Sequence, residues 1–183
     1  MTQLPRSEYP RPQFKREPWT NLNGQWSYVL DFGKSGRERG FRAGTGFAKM
    51  PGGGEITVPF CPESALSGVE HKDFIEMMWY HRKITIPDNW AGKRVILHFG
   101  AVDYACEVFI DGISVGRHWG GTVAFAFDVT DYIVFGDSHD LVVYVHDETR
   151  SGEQPGGKQS PKYKSFGCHY TRTTGIWQTV WME

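Results

Sequence analysis

The sequence predicts an all-β domain, a two-sheet antiparallel β-sandwich of jelly-roll type, from three observations. Aromatic residues are abundant, with 7 Trp, 8 Tyr and 12 Phe in 183 residues. They are punctuated by 22 Gly and 10 Pro, the mixture expected where strands alternate with turns. Short segments alternate apolar and polar residues with a period of two, while no long segment shows the 3.6-residue period of a helix.

The elements follow in order. Four prolines in the first eighteen residues (Pro5, Pro10, Pro12, Pro18) predict an extended arm over about residues 1–20, lying on the fold. Trp26 to Asp31 reads as a strand. Lys34 to Gly54 is rich in Gly and Arg without a clear period, predicting a long loop with one short strand. Ile56 to Val58 is a brief strand stopped by Pro59, and Pro62 to Phe74 a polar surface loop. Met77 to Ile86 is a strand ended by Pro87, and Arg94 to Phe99 another. Tyr104, Cys106, Val108 and Ile110 share one face of a half-buried strand. Asp111-Gly112 then predicts a tight hairpin, because a type I′ turn needs positive φ at its centre. Ile113 to Gly116 begins the return strand. Val123, Phe125, Phe127 and Val129 alternate again, followed by a turn at Thr130-Asp131. Leu141, Val143 and Val145 form the next apolar face. Ser151 to Ser165 reads as a mobile loop, and Ile176 to Met182 as the last strand. The whole chain, 1–183, is read as one domain.

Composition excludes several classes. Twenty Lys and Arg against 21 Asp and Glu leave a formal charge of -1, without the basic excess of a nucleic-acid binder. No apolar run approaches the ~20 residues of a membrane span. The first residues lack the apolar core of a secretory signal, so a chain starting at Met1 is expected in the cytoplasm. Cys61, Cys106 and Cys168 contain no C-x-x-C pair, which suits a reducing compartment and buried packing roles rather than zinc. No metal and no cofactor are expected.

Motifs that carry chemistry were weighed against the residues around them. Gly152 to Lys158 has the spacing of a phosphate-binding loop, but Gln159 stands where the magnesium hydroxyl belongs and Pro161 blocks the helix that should follow. No His-x-His and no H-E-x-x-H occurs. Glu107 and Asp111 share one side of a strand, yet positions i and i+4 lie about 13 Å apart, too far for paired-carboxylate glycoside cleavage. Asp103 and Asp147 sit beside strands without an evident partner. All four are read as solvated or turn-capping acids.

Several stretches, taken jointly, resemble the sugar-binding domain of glycoside hydrolase family 2. They are Trp79-Tyr80-His81-Arg82-Lys83, Trp90 to Val95, Leu97 to Asp103, Glu107 to Gly112, Val115 to Gly121 and Phe125 to Tyr132. The opening Arg11-Pro12 and Leu22 to Trp26, and the closing Arg172 to Trp181, resemble the same family. The resemblance implies a galactose-binding-domain-like jelly roll, with Trp79, Phe99, Phe109, Phe125 and Phe127 sized for the space between the sheets. It also implies a parent enzyme that cleaves β-glycosides with retention, most often β-galactosides, with glucuronides and mannosides also among the family's substrates. Catalysis would belong to a barrel beyond a linker domain, both absent from these 183 residues. The barrel's Asn-Glu signature does not occur here, so the domain by itself is expected to be inert.

In β-galactosidases of the family an acid six positions before the closing glycine reaches the sugar. Counting back from Gly175 gives His169, a departure: a neutral His can hydrogen-bond a hydroxyl but is a poorer sodium ligand than a carboxylate. Glu63, His169 and Tyr170 are the expected substrate-binding residues, against plainer roles as a solvated charge, a turn residue and core. Arg172 is expected to be a structural ion-pair partner. The expected partners are a carbohydrate substrate, the chain's own downstream domains and, as one form of assembly, a second copy of itself; nucleic acid and membrane are not expected. The competing readings are an independent carbohydrate-binding module and a purely structural or oligomerisation domain.

Overall fold

The computed structural model describes residues 4–183. In chain order the strands are β1 Thr20–Asn21, β2 Gly24–Leu30, β3 Gly53–Val58, β4 Met77–Thr85, β5 Ile96–Phe99, β6 Val102–Asp103, β7 Ala105–Ile110, β8 Ile113–Trp119, β9 Phe125–Asp128, β10 Ser138–His146, β11 Gly175–Ile176 and β12 Val180–Met182. They make a six-stranded sheet in the order β3-β2-β4-β10-β7-β8, a four-stranded sheet β1-β12-β5-β9 and a small pair β11-β6. All strand pairings are antiparallel. The expected all-β sandwich is therefore the fold. Helix is confined to 3-10 turns of three residues among the described residues, and no helix is long and apolar enough to cross a membrane.

Period-two alternation decides which side chains meet. From the six-stranded sheet Met78, Tyr80, Val108, Ile110, Leu141, Val143 and Val145 point into the sandwich, where they meet Leu97, Phe99, Val180 and Met182 of the other sheet. Phe125 and Phe127 pack against this core from its margin, half-buried. The Asp111-Gly112 hairpin forms as expected, with Ile110 opposite Ile113 and φ of 49° and 80° at the two turn residues. Asp111 also braces the turn from outside: its carboxylate accepts from Asp140 N at 2.8 Å and pairs with His139 Nδ1 at 2.6 Å.

The region 31–50 differs most from expectation. It forms short 3-10 turns at Phe41–Ala43 and Phe47–Lys49, and lays Phe41 and Phe47 over the outer face of the six-stranded sheet. There they build a second core with Val29, Trp79, Phe109 and Val142. Trp79 and Phe109 consequently lie outside the sandwich rather than between its sheets, ring planes 27° apart at 6.1 Å. The β7 strand is buried on both faces rather than one. Asp31 pins the covering segment by accepting from Ser35 N, Gly36 N and the Trp79 indole. Glu107 is correspondingly not solvated: it is 4% exposed and binds Arg37 at 2.7 Å, Arg117 at 3.2 Å and Ser114 Oγ at 2.8 Å. Those partners hold its carboxyl below the usual range despite the opposing effect of burial.

The arm covers the outer face of the four-stranded sheet. Buried Tyr9 meets Trp181 edge-on at 6.2 Å, and His98 stacks on Trp181 at 4.6 Å. Of the cysteines, Cys106 is buried as expected, Cys61 is half-buried and Cys168 is exposed, because it sits on an outward loop rather than a strand.

The closing segment runs as two short strands, not one. At Gly175 φ is +72° and a Cβ would lie 2.2 Å from Tyr80 Oη, so both backbone conformation and space require glycine. Gly175→Ala is expected to destabilise the domain by roughly 2–4 kcal/mol, against about 1 kcal/mol for Tyr80→Phe; urea unfolding midpoints of the two variants check the order.

Candidate functional site

The site grows from the pairing of β6 with β11, which sets Gly175 opposite Asp103. Three buried carboxyls gather around this bridge. Thr174 is gripped by two of them: its N–H donates to Glu63 Oε2 at 3.2 Å and its hydroxyl to Asp147 Oδ2 at 2.9 Å. Ile176 N–H donates to Tyr80 Oη at 3.2 Å. The third, Asp103, accepts from Gln159 Nε2 at 2.9 Å, and Asp147 also accepts from Gln154 Nε2 at 2.7 Å. Asp103 and Asp147, expected to stand alone, thus have partners supplied by the loop at 151–174, which sequence separation conceals.

Burial dominates the electrostatics. Desolvation pushes Glu63 up to about 7, with the Thr174 and Cys61 contacts only partly opposing it. Asp103 is pushed up to about 7 by burial and then by the neighbouring Asp147, against the Gln159 hydrogen bond. Asp147 is raised by burial, opposed by Gln154 and Thr174. Glu63 Oε1 has no hydrogen-bond partner among the described residues.

Asp103 lines a cavity of about 450 Å³, whereas Asp147 borders a separate, smaller one of about 160 Å³ and Glu63 lines neither. In the larger cavity Tyr104, Gly121 and Thr122 form one wall, Gly157, Lys158 and Gln159 a second, and Trp177 another. The Trp177 indole N–H donates to Gly121 O at 2.7 Å, fixing the ring. Gly121 is required here by close approach, since a Cβ would lie 2.3 Å from the Asp103 carboxylate. An acceptor carboxyl, an amide, an ammonium and aromatic surface around one concavity are the means of holding a polyhydroxylated ring. Paired-carboxyl cleavage needs two acids about 5 Å apart across a bond; here Glu63 and Asp147 are turned to Thr174 instead. Among the described residues no group of three or more His, Cys, Asp or Glu is placed to hold a metal.

The residues expected to meet substrate fall in different places. Glu63 is 5% exposed, a buried anchor for Thr174 rather than a solvated charge. His169 is half-buried and stacks on Phe166 at 4.9 Å. Tyr170 is 62% exposed, not core. None of the three lines the cavity, although Tyr170 N–H donates to O of the cavity-lining Lys158 at 2.7 Å. Arg172 makes no ion pair among the described residues. Its guanidinium binds the carbonyls of Ser160, Lys162 and Lys72 and lies 4.1 Å from the Phe74 ring centroid, clasping the 158–170 loop to the body of the domain.

Two hydrolase-like patterns also occur, and neither lines the cavity. Gly112-Ile113-Ser114-Val115-Gly116 has the G-x-S-x-G spacing, yet it lies on the hairpin strand β8 and Ser114 Oγ is bound to Glu107. A nucleophile elbow needs a strand-to-helix turn. Ser27, His81 and Asp140 also form a hydrogen-bonded row across β2, β4 and β10, at 3.2 Å and 2.7 Å. The His81 ring lies against Gly44 and Phe47 of the covering segment, so this row is part of the outer layer.

Comparison with known proteins follows the same direction. The family model described as "Glycosyl hydrolases family 2, sugar binding domain" matches residues 65–156. A β-glucuronidase of Canis lupus familiaris is 31% identical over 134 residues, covering 70% of this chain and 20% of that enzyme. A β-galactosidase of Thermoanaerobacter pseudethanolicus is 29% identical over 114 residues, covering 62% of this chain and 14% of that enzyme. The chain thus spans a fifth or less of the length of these two relatives. The crystal structure of Ruminococcus gnavus β-glucuronidase superposes with a TM-score of 0.72 at 20% identity, over 92% of this chain and 29% of that one, which shows the shared fold.

The raised acids set a pH dependence. A carboxyl whose folded pKa exceeds its unfolded value binds more protons when folded, so its stabilising contribution is complete below the unfolded range and is lost as pH rises through about 7. The melting temperature is therefore expected to fall between pH 5 and pH 8. Glu63→Gln and Asp103→Asn should each flatten that fall, as differential scanning calorimetry across the range would record.

Proposed function

The chain belongs to the sugar-binding domain family of the family 2 glycosyl hydrolases, and from that premise we propose that it is the non-catalytic N-terminal domain of a retaining β-glycosidase. In this reading it supplies one wall of the substrate pocket. The observation that carries it is Asp103: a carboxyl 6% exposed, held by Gln159 and seated against Gly121, yet lining the cavity. A carboxyl so fixed accepts from a sugar hydroxyl without further ordering cost, while Lys158 and Gln159 donate to ring or hydroxyl oxygens and Trp177 offers a stacking surface.

Near-neutral Asp103 suits this role on either side of its titration. As a carboxylate it accepts twice; as an acid it donates once and accepts once. His169 and Tyr170 stand on the outward arm of the loop whose inner arm lines the cavity. They are proposed to touch parts of the substrate beyond it, and Glu63 to act beneath by positioning Thr174. The relatives bear the names β-glucuronidase and β-galactosidase, and a β-galactoside or β-glucuronide is the proposed substrate class. The activity would reside in a catalytic domain that the 183 residues do not include, and an isolated domain carrying one pocket wall should bind sugar weakly.

Titration of the chain with galactose, glucuronate and mannose, followed by ¹H–¹⁵N NMR, tests this. The expected result is millimolar affinity, with the Trp177 indole and the 157–159 amides shifting most and Asp103→Ala removing the response while its spectrum remains that of the folded domain. Shifts confined to regions remote from Asp103, or none with any of the three sugars, would count against the proposal.

A further inference from the structure

Trp177 does not only close the first cavity. A second cavity, of about 270 Å³, lies directly beyond it and shares Thr122 and Trp177 with the first. Its far side is made by Arg11 of the arm, Gln178 and Trp181. Trp177 thus borders both cavities, its ring tied at one edge to Gly121 O and its backbone N–H donating to Ala101 O at 3.4 Å.

We propose that the two cavities form one glycan-binding cleft with two subsites, so that the domain takes a ligand of at least two sugar residues with Trp177 at their junction. This rests on the proposed sugar-binding role of the first cavity and extends it to ligand length. The second compartment has what a sugar ring requires. Gly100, also in its lining, packs closely on Gln178, since a Cβ there would lie 2.7 Å from Gln178 Cβ. Its polar lining is unspent: Arg11 and Gln178 are exposed and their side chains form neither an ion pair nor a hydrogen bond among the described residues. The Arg11 guanidinium lies 5.4 Å from the Trp181 ring centroid, which holds a planar donor group against an aromatic wall. Stacking on an aromatic face combined with outward-turned donors is recognition suited to an uncharged ring bearing hydroxyls. A purely apolar partner would leave the Arg11 and Gln178 donors unpaired.

The test is calorimetric titration of the chain with methyl β-galactoside and methyl β-glucuronide, and with β-linked disaccharides carrying each of these at the non-reducing end. The disaccharides are expected to bind about tenfold more tightly than the monosaccharides. Arg11→Ala and Gln178→Ala, both at exposed positions, should erase that advantage and leave monosaccharide affinity unchanged, whereas Asp103→Ala should weaken both ligands alike. Equal affinity for one and two rings, or an advantage that survives both surface substitutions, would overturn the two-subsite cleft while leaving the one-cavity reading intact. Absence of binding by every sugar would overturn both.

Discussion

Thr174 to Ile176, just before the last strand, are held by buried polar atoms as well as by the short β11–β6 pairing. Thr174 hangs from Glu63 and Asp147, and Ile176 from the Tyr80 hydroxyl. Gly175, between them, presses on Tyr80 so closely that no side chain fits. Buried polar groups left without partners cost about 1–3 kcal/mol each, so these contacts are interdependent. Loosening Thr174 would unpair one oxygen on each of two carboxyls. The pairing of β11 with β6, and with it the placement of Asp103 and Trp177, depends on this knot.

The same knot explains why three acids sit close together without being a hydrolytic pair. Two are occupied with the chain's own backbone and hydroxyl, and desolvation favours their neutral forms. The remaining one, Asp103, has its carboxyl fixed by Gln159 and lines the cavity. Division of labour among chemically similar groups is set by what each hydrogen-bonds, not by residue type. In the proposed reading, that division would separate a binding wall from a reaction centre.

The sandwich was legible in the sequence because β7, β9 and β10 carry period-two alternation and Asp111-Gly112 demands one kind of turn. The second core was not, because Phe41 and Phe47 sit in a stretch with no period of its own. Trp79 and Phe109 look like ordinary inward residues until something is known to cover their face. The site was legible only in part. His169 and Tyr170 were picked from the loop that does contribute to the cavity, but the lining residues are Lys158 and Gln159 on its inner arm. Asp103 passed for an isolated acid because its partner Gln159 lies 56 positions away. Glu63 reads as a substrate contact or a solvated charge because local sequence does not reveal that Thr174 returns 111 positions later to pair with it.

The walls of the cavity come from segments near positions 103, 121, 158 and 177, spread across nearly half the chain. No hairpin or single loop contains enough of it to bind anything. The concavity therefore comes into being only when the long-range pairings have closed, and a sugar bound there would favour the finished topology over every partly assembled form. Occupancy would then report on whether the whole sandwich has been built, and a bound carbohydrate would act as a late brace for the polypeptide.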